Sequence, residues 1–185
     1  MLKNGKLEKL KYVGHVVAAE VLQKFVSSKT ARISDVASGT GLVGEQLKTL
    51  GYETIDAVDC STEMIEIARA KNIYENLYVQ WIGGGKRLSF DDDTYDVIVC
   101  AGGFFGNGLK SDSFNEFVRV VKPGGFIVIT MRAMWLDLEP NYNNGKLERD
   151  MQQLEKEGFW KLMEKDIRYK GGTCESIVTF VHRVC

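Results

Sequence analysis

Between Tyr12 and Val26 the apolar residues Val13, Val16, Val17, Val21 and Phe25 recur at three- and four-residue intervals, the spacing of one helix face. Ser27–Thr30 ends that pattern, and Arg32–Val36 reads as a strand. Leu42–Leu50 returns to helical spacing and stops at Gly51, a residue suited to the left-handed exit of a helix. Thr54–Asp59 is a second strand. Ser61 then caps a helix running to about Ala70, with Met64, Ile65 and Ala68 on its inner face. Leu77–Ile82 predicts a third strand, and Asp96–Cys100 a short continuous apolar one of the kind buried on both faces. Ser113–Val121 is helical, and Phe126–Met131 forms a fifth strand. Leu147, Met151 and Leu154 mark a further helix, and Trp160–Tyr169 and Glu175–Val184 alternate around Gly171-Gly172 as a hairpin.

A helix followed by repeated strand–helix pairs predicts a Rossmann-like doubly wound α/β fold, a parallel sheet with helices on both faces and right-handed crossovers. On such sheets ligands sit at the carboxyl ends of the strands, near the switch point. The turn at Gly39, Asp59, Gly83–Gly84 and Ala101–Gly103 all emerge along that edge. Around the turn the chain reads Ile-Ser-Asp-Val-Ala-Ser-Gly-Thr-Gly-Leu-Val-Gly from Ile33 to Gly44. Gly39 and Gly41 remove the Cβ atoms that would block a ligand and permit positive φ. The helix that follows directs its first N–H groups at the turn. Gly39-x-Gly41-x-x-Gly44, with Asp59 about twenty residues downstream, is the pattern of a nucleoside-cofactor site, and a nicotinamide dinucleotide is one candidate.

The length of 185 residues suits a single domain over 1–185, with 1–30 as its N-terminal helical segment. A net charge of −1, with basic residues gathered only in Lys3–Lys11, gives no electrostatic case for a nucleic-acid partner. No apolar run approaches bilayer length, so no membrane association is expected. Cys60, Cys100, Cys174 and Cys185 lack Cys-x-x-Cys spacing and there are two histidines, so no metal site is expected. Reduced thiols fit a cytoplasmic or nuclear compartment.

Three further features separate the cofactors. Little chain remains for the separate catalytic segment that a dehydrogenase uses. An acid precedes the turn, as Asp35-x-Ala37-x-Gly39-x-Gly41, with a whole helix before the strand. Lys122-Pro123-Gly124-Gly125 introduces the fifth strand and a hairpin closes the chain. With these residues the chain, from about Tyr12 to Val184, resembles the class I S-adenosylmethionine-dependent methyltransferases. The family's acidic glycine motif falls on Asp35, Ala37, Gly39 and Gly41, its ribose acid on Asp59 in Val58-Asp59-Cys60-Ser61, and its Leu-Lys-Pro-Gly-Gly signature on Val121–Gly125. Gly103-Phe104-Phe105-Gly106-Asn107-Gly108 and the Gly158-Phe159 turn look most like the methyltransferase-like protein 27 (Williams–Beuren region) group.

The resemblance implies seven strands with the last inserted antiparallel, S-adenosyl-L-methionine as cofactor, and methyl transfer. It implies that Asp59 accepts both ribose hydroxyls and that the turn Ala37-Ser38-Gly39-Thr40-Gly41 runs beneath the ribose and methionine. Asp35 would orient that turn and help hold the methionine ammonium. Cys60 and Met64 would flank the adenine, and Ala101–Gly103 would offer carbonyls to the ammonium. Ala37 replaces a usual glycine, tolerable at negative φ. Gly83-Gly84 stands where the family has Gly-Asp, so the acid expected on the adenine amino group is missing, at a cost of roughly 0.5–1.5 kcal/mol of binding. The Tyr-Asp-x-Trp-Ala-like segment that covers the substrate in many relatives is also absent, implying a shortened N-terminus and an open pocket.

Methyl transfer is an in-line displacement, and an oxygen or nitrogen nucleophile calls for a base. His15 is the one histidine near the expected mouth and the candidate base, set against the commoner role of an exposed or capping helix residue. Tyr12, Phe104, Phe105 and Asn107 are candidates for touching the acceptor. Core packing for the phenylalanines and a turn role for Asn107 stand beside that reading. Trp81 either leans on the adenine or packs in the core, and Cys60 is pocket wall rather than nucleophile. Cys100-Ala101-Gly102-Gly103-Phe104 replaces the Asn/Asp-Pro-Pro-aromatic signature of amine methylators, leaving a small-molecule acceptor as the leading class and a protein side chain behind it. The competing readings are a non-catalytic protein on the same fold and an NAD(P)-dependent oxidoreductase.

Overall fold

The structure, a computed structural model, describes residues 13–169 and 176–185. Tyr12, the Lys3–Lys11 segment and the Gly171-Gly172 turn lie outside the described residues. The elements run α1 (Gly14–Phe25), β1 (Ile33–Val36), α2 (Leu42–Thr49), β2 (Ile55–Asp59), α3 (Thr62–Arg69), β3 (Asn76–Val79), β4 (Tyr95–Ala101), α4 (Phe114–Val120), β5 (Val121–Arg132), α5 (Trp135–Leu138), α6 (Lys146–Lys156), β6 (Trp160–Tyr169) and β7 (Ser176–Val184). They build one seven-stranded sheet of order β3-β2-β1-β4-β5-β7-β6. The first five strands are parallel, and β7 pairs antiparallel with both β5 and β6. The expected doubly wound sheet with an antiparallel closing strand is therefore what the chain forms.

Strand alternation sorts the core into two layers. Val97 and Val99 of β4, with Ile33, Ile55 and Val128, face Val17, Leu22, Val43 and Leu47 of α1 and α2. Ile98 and Cys100, with Val36, Val58, Ile127 and Ile129, face Phe114, Phe117, Leu147 and Met151 of α4 and α6. Each central strand is thus apolar on both sides, which is why it reads as a continuous run rather than an alternating one. The fifth strand begins at Val121 rather than Phe126, so Pro123-Gly124-Gly125 lies inside β5, at a register shift against β4, and its glycines have distinct tasks. Gly124 takes φ +84. A Cβ on Gly125 would fall 2.6 Å from the Asp96 carbonyl oxygen, so the close approach of β5 to β4 requires glycine.

Three local expectations change. Met64 is not on the inner face of α3: it is 41% exposed, while Ile65 and Ala68 carry the burial. Strand β3 stops at Val79, because it is an edge strand and the chain leaves it at Gln80. The helix expected from Ser113 is preceded by a 3-10 turn, Ser111–Ser113, and the four-residue α5 falls in a stretch with no readable period. Arg119 of α4 anchors the loop between β3 and β4 by donating to Glu116, to Asp92 (2.7 Å) and to the carbonyl of Phe90 (2.8 Å).

Candidate functional site

At the switch point between β1 and β4 the chain leaves β1 through a run of left-handed residues, Ala37 (φ +54), Gly39 (+53) and Gly41 (+86). The negative φ expected of Ala37 is not adopted. A left-handed alanine costs roughly 1–2 kcal/mol. The turn is tied down by hydrogen bonds from Ser38 N–H to the Val58 carbonyl (3.2 Å) and from Gly41 N–H to the Ser38 carbonyl (2.9 Å). Room for the Ala37 methyl comes from across the site: a Cβ on Gly103 would lie 2.9 Å from it.

Asp59, the last residue of β2, accepts from Gly39 N–H at 2.8 Å through Oδ2 and from Ser61 N–H at 2.9 Å through Oδ1. The carboxylate therefore touches the glycine turn directly, and the hollow lies beside this contact rather than between the two. Ser61 caps α3 as expected, its hydroxyl accepting from Met64 N–H at 3.2 Å.

That hollow has a volume of about 360 Å³. Its lining comes from the segments that follow four strands: Ala37 and Gly39 after β1, Asp59, Cys60, Ser61 and Met64 at and after the end of β2, Gln80, Trp81 and Ile82 after β3, and Gly102, Phe105, Asn107 and Leu109 after β4. Apolar surface dominates, with Met64 and Trp81 standing 41% and 56% exposed at the rim. A smaller recess of about 210 Å³ adjoins it through the shared residues Gly102 and Phe105, and is lined also by Phe104, Arg132 and Trp135. A larger hollow, about 580 Å³, opens at the amino ends of β1 and β4 under Lys122–Phe126, where neither Asp59 nor the glycine turn reaches. Volume alone does not define the site; the convergence of turn, acid and apolar walls does.

Several expected residues lie elsewhere. Gly83 and Gly84 do not line the hollow, nor do Ser38, Thr40, Gly41 and Ala101. Gly83–Gly85 are all left-handed, and the Gly84 N–H donates at 2.7 Å to Oδ2 of Asp112, which comes from the 3-10 turn. The loop that lacks its own acid is thus held by one from a distant segment. Phe104 is not free to meet an acceptor: it is 1% exposed and its ring packs on Phe114 and Tyr142. Phe105 and Asn107 do line the hollow. His15 lies away from it, near Glu45 and Lys71, with its pKa lowered chiefly by burial. His182 is buried, stacked 4.1 Å from Trp160, and burial pushes its pKa down to about 4.

Asp35 sits under the turn, wholly buried. Burial pushes its pKa up to about 7; the Tyr74 hydroxyl and the Gly44 N–H pull the other way, and Asp59 adds to the rise. Tyr74, which carries no motif of its own, donates to Asp35 Oδ2 at 2.6 Å. Its ring fills the space over the turn: a Cβ on Gly44 would be 2.5 Å from it, and one on Gly41 3.0 Å. Gly103 lines the hollow as expected, and Ser61, Gln80, Ile82, Gly108 and Leu109 line it without having been expected there.

The doubly wound sheet with its antiparallel closing strand is the fold of the class I methyltransferases, and comparison with known proteins agrees. The methyltransferase domain family matches residues 33–125, from β1 to Gly125 in the first part of β5. The chain is 32% identical over 132 residues to methyltransferase-like protein 27 of Homo sapiens, covering 71% of this chain and 52% of that protein. It is also 32% identical over 113 residues to a ubiquinone/menaquinone biosynthesis C-methyltransferase of Geotalea daltonii, covering 58% of this chain and 48% of that protein. The chain spans about half the length of the curated relatives it matches. Among solved structures, a TehB-like S-adenosylmethionine-dependent methyltransferase of Corynebacterium glutamicum superposes with TM-score 0.67 at 18% identity, over 91% of this chain and 87% of that one. A methyltransferase of Aquifex aeolicus does so with TM-score 0.65 at 18% identity, over 91% and 89%. The chain belongs to the methyltransferase domain family of class I S-adenosylmethionine-dependent methyltransferases.

Proposed function

We propose that this chain binds S-adenosyl-L-methionine in the 360 Å³ hollow and transfers its methyl group to a small-molecule acceptor seated in the adjoining recess. The observation that carries the reading is the Asp59 carboxylate, fixed by two backbone N–H groups at the end of β2 and bordering an apolar hollow. Each carboxylate oxygen keeps a further lone pair, so Asp59 has acceptors left for a vicinal pair of ribose hydroxyls. Met64, Trp81 and Ile82 present flat or flexible apolar surface for a purine, and the volume is within the range of ligand pockets, about 300–1,000 Å³. The residues present therefore fit this cofactor.

The cofactor supplies a methyl carbon activated by a sulfonium, so the protein's work is alignment and exclusion of water. Asp59 and the Ala37–Gly39 turn fix the nucleoside end. Gly102 borders both the hollow and the recess, and Gly103 lines the hollow alone. Phe105 forms part of both walls, and Trp135 offers a ring face to an acceptor. Two groups of relatives point to small molecules: the Geotalea daltonii protein is named for C-methylation in ubiquinone and menaquinone biosynthesis, and one from Chlorobaculum tepidum is named a demethylmenaquinone methyltransferase. An apolar, ring-bearing acceptor suits the Phe105–Trp135 recess.

The dinucleotide reading is disfavoured by Tyr74 and Asp35. They occupy the amino end of α2, where a pyrophosphate would meet a filled volume and, once Asp35 ionises, a buried negative charge. The test is calorimetric titration with S-adenosylhomocysteine, followed by transfer of labelled methyl from S-adenosylmethionine to a metabolite extract. Absence of binding at millimolar ligand removes the reading. Binding without transfer to any pool favours the non-catalytic alternative, and thermal protection by NADH alone favours the oxidoreductase.

A further inference from the structure

Among the described residues two charged side chains line the cofactor hollow and the recess beside it, and the cofactor reading uses one of them. Asp59 borders the hollow, and Arg132 lines the recess with Gly102, Phe104, Phe105 and Trp135. Local structure explains why a guanidinium and an indole share so small a space. Gly102 N–H donates to the Thr130 carbonyl at 2.8 Å, which ties the exit of β4 to the end of β5. Arg132 is the last residue of β5, and as the strand ends Ala133 N–H donates to the Ser176 carbonyl at 2.9 Å. The chain then folds back at once, with Leu136 N–H on the Ala133 carbonyl at 2.9 Å and Glu139 N–H on the Trp135 carbonyl at 3.0 Å. That turn keeps Trp135 beside the strand it follows, and both it and Arg132 are half-buried. Neither Asp137 nor Glu139, the acids of this segment, lines the recess; Glu139 is buried and accepts from Asn141 Nδ2 at 2.7 Å.

We infer that the recess selects a small planar acid as acceptor: one ring seated against Trp135 and Phe105, and one carboxylate held by Arg132. This rests on the cofactor reading above and names the acceptor class which that reading leaves open. A sulfonium in the hollow does not ask for a second cation in the adjoining recess, since like charges repel; an anionic acceptor beside them offsets both. A guanidinium carries five N–H donors in one plane, so it can take a carboxylate through two parallel bonds whatever else it touches. An amide of the same shape forfeits those charge-assisted bonds. At about 210 Å³ the recess is smaller than the roughly 300–1,000 Å³ of pockets for drug-sized ligands, which suits a single ring. Arg132 is thus a specificity residue. It chooses the acceptor, and no bond is made or broken at it.

The test compares an acid with its amide. 4-Hydroxybenzoate and 4-hydroxybenzamide are titrated calorimetrically at pH 7 into the full chain saturated with S-adenosylhomocysteine, whose own binding is measured first on every variant. The expected result is an acid that binds roughly tenfold tighter than the amide, or more. Arg132→Gln brings the acid down to the affinity of the amide. Arg132→Lys keeps part of the preference, because the charge remains without the planar fork, and it carries the comparison if Arg132→Gln fails to fold. Trp135→Ala weakens acid and amide alike, which separates the ring contact from the charge. Three results overturn the inference and leave the cofactor reading standing: equal binding of acid and amide by the unaltered chain, a preference for the acid that survives Arg132→Gln, or no binding of either probe to the S-adenosylhomocysteine complex. A chain that takes up no S-adenosylhomocysteine at millimolar concentration removes both.

Discussion

Gly44→Ala decides whether Tyr74 really fills the space over the glycine turn. Position 44 lies in the first turn of α2, where local propensity alone favours alanine over glycine by up to about 1 kcal/mol. The packing predicts the opposite sign. An alanine Cβ would fall 2.5 Å from the Tyr74 ring carbon and hydroxyl, and 2.7 Å from a second ring carbon, inside any allowed contact. Tyr74 is held by Asp35 and cannot swing away without stranding a buried carboxylate. Overpacking of this kind costs about 1–3 kcal/mol, which for a chain of this size lowers Tm by roughly 2–4 °C per kcal/mol. Urea or thermal unfolding followed by circular dichroism measures it. In a Tyr74→Ala background, itself destabilised by loss of a buried ring, the same Gly44→Ala change becomes neutral or stabilising. A rise in Tm on introducing Gly44→Ala into the otherwise unchanged chain would refute the packing, and with it the reason given for this glycine.

Other outcomes follow from the same geometry. Between the ordinary carboxylate pKa of 3.8 and the folded value of about 7, the native state holds the Asp35 proton and the unfolded chain does not. This contribution to stability is therefore largest near pH 4 and is lost as pH rises to 7; integrated, it is of order 4 kcal/mol. Asp35→Asn should remove that slope in urea melts compared across pH, and an unchanged slope contradicts the burial argument. Gly103→Ala places a Cβ 2.6 Å from the Cys100 sulfur and 2.9 Å from the Ala37 methyl, so it should destabilise by about 1–3 kcal/mol, and Ala37→Gly should recover part of the loss. Equal melts for Gly103→Ala with and without Ala37→Gly would show that the two positions do not meet.

Most of the fold is legible because its central strands are short apolar runs between turn residues, and the helices keep their period. What is not legible depends on contacts between distant segments. Strand β3 ends early because it has a neighbour on one side only, which no local pattern records. The Phe104–Phe105 pair looks symmetrical in sequence, yet one ring is core and the other wall, decided by how Tyr142 donates to the carbonyls of Phe105 (3.0 Å) and Leu109. Within the site, Asp59 and the glycines announce themselves through spacing. Tyr74 and Asp112 do not, since each acts through one hydrogen bond to a residue 28 or more positions away. The one local hint was Gly44 itself, a glycine inside a helix that asks what ring or backbone lies against it. Ala37 misled for a related reason: its positive φ is imposed by Val58 and accommodated by Gly103, not by its own preference.

The central claim, that Asp59 and the glycine turn hold the nucleoside of S-adenosylmethionine, is tested most directly by titrating S-adenosylhomocysteine into the wild-type chain and into Asp59→Ala at pH 8. The account predicts one site per chain in the wild type and at least a tenfold weaker affinity in the variant, the loss of charge-assisted hydrogen bonds worth about 1.5–3 kcal/mol. Equal affinities in the two proteins, or no heat from the wild type at millimolar ligand, would contradict it.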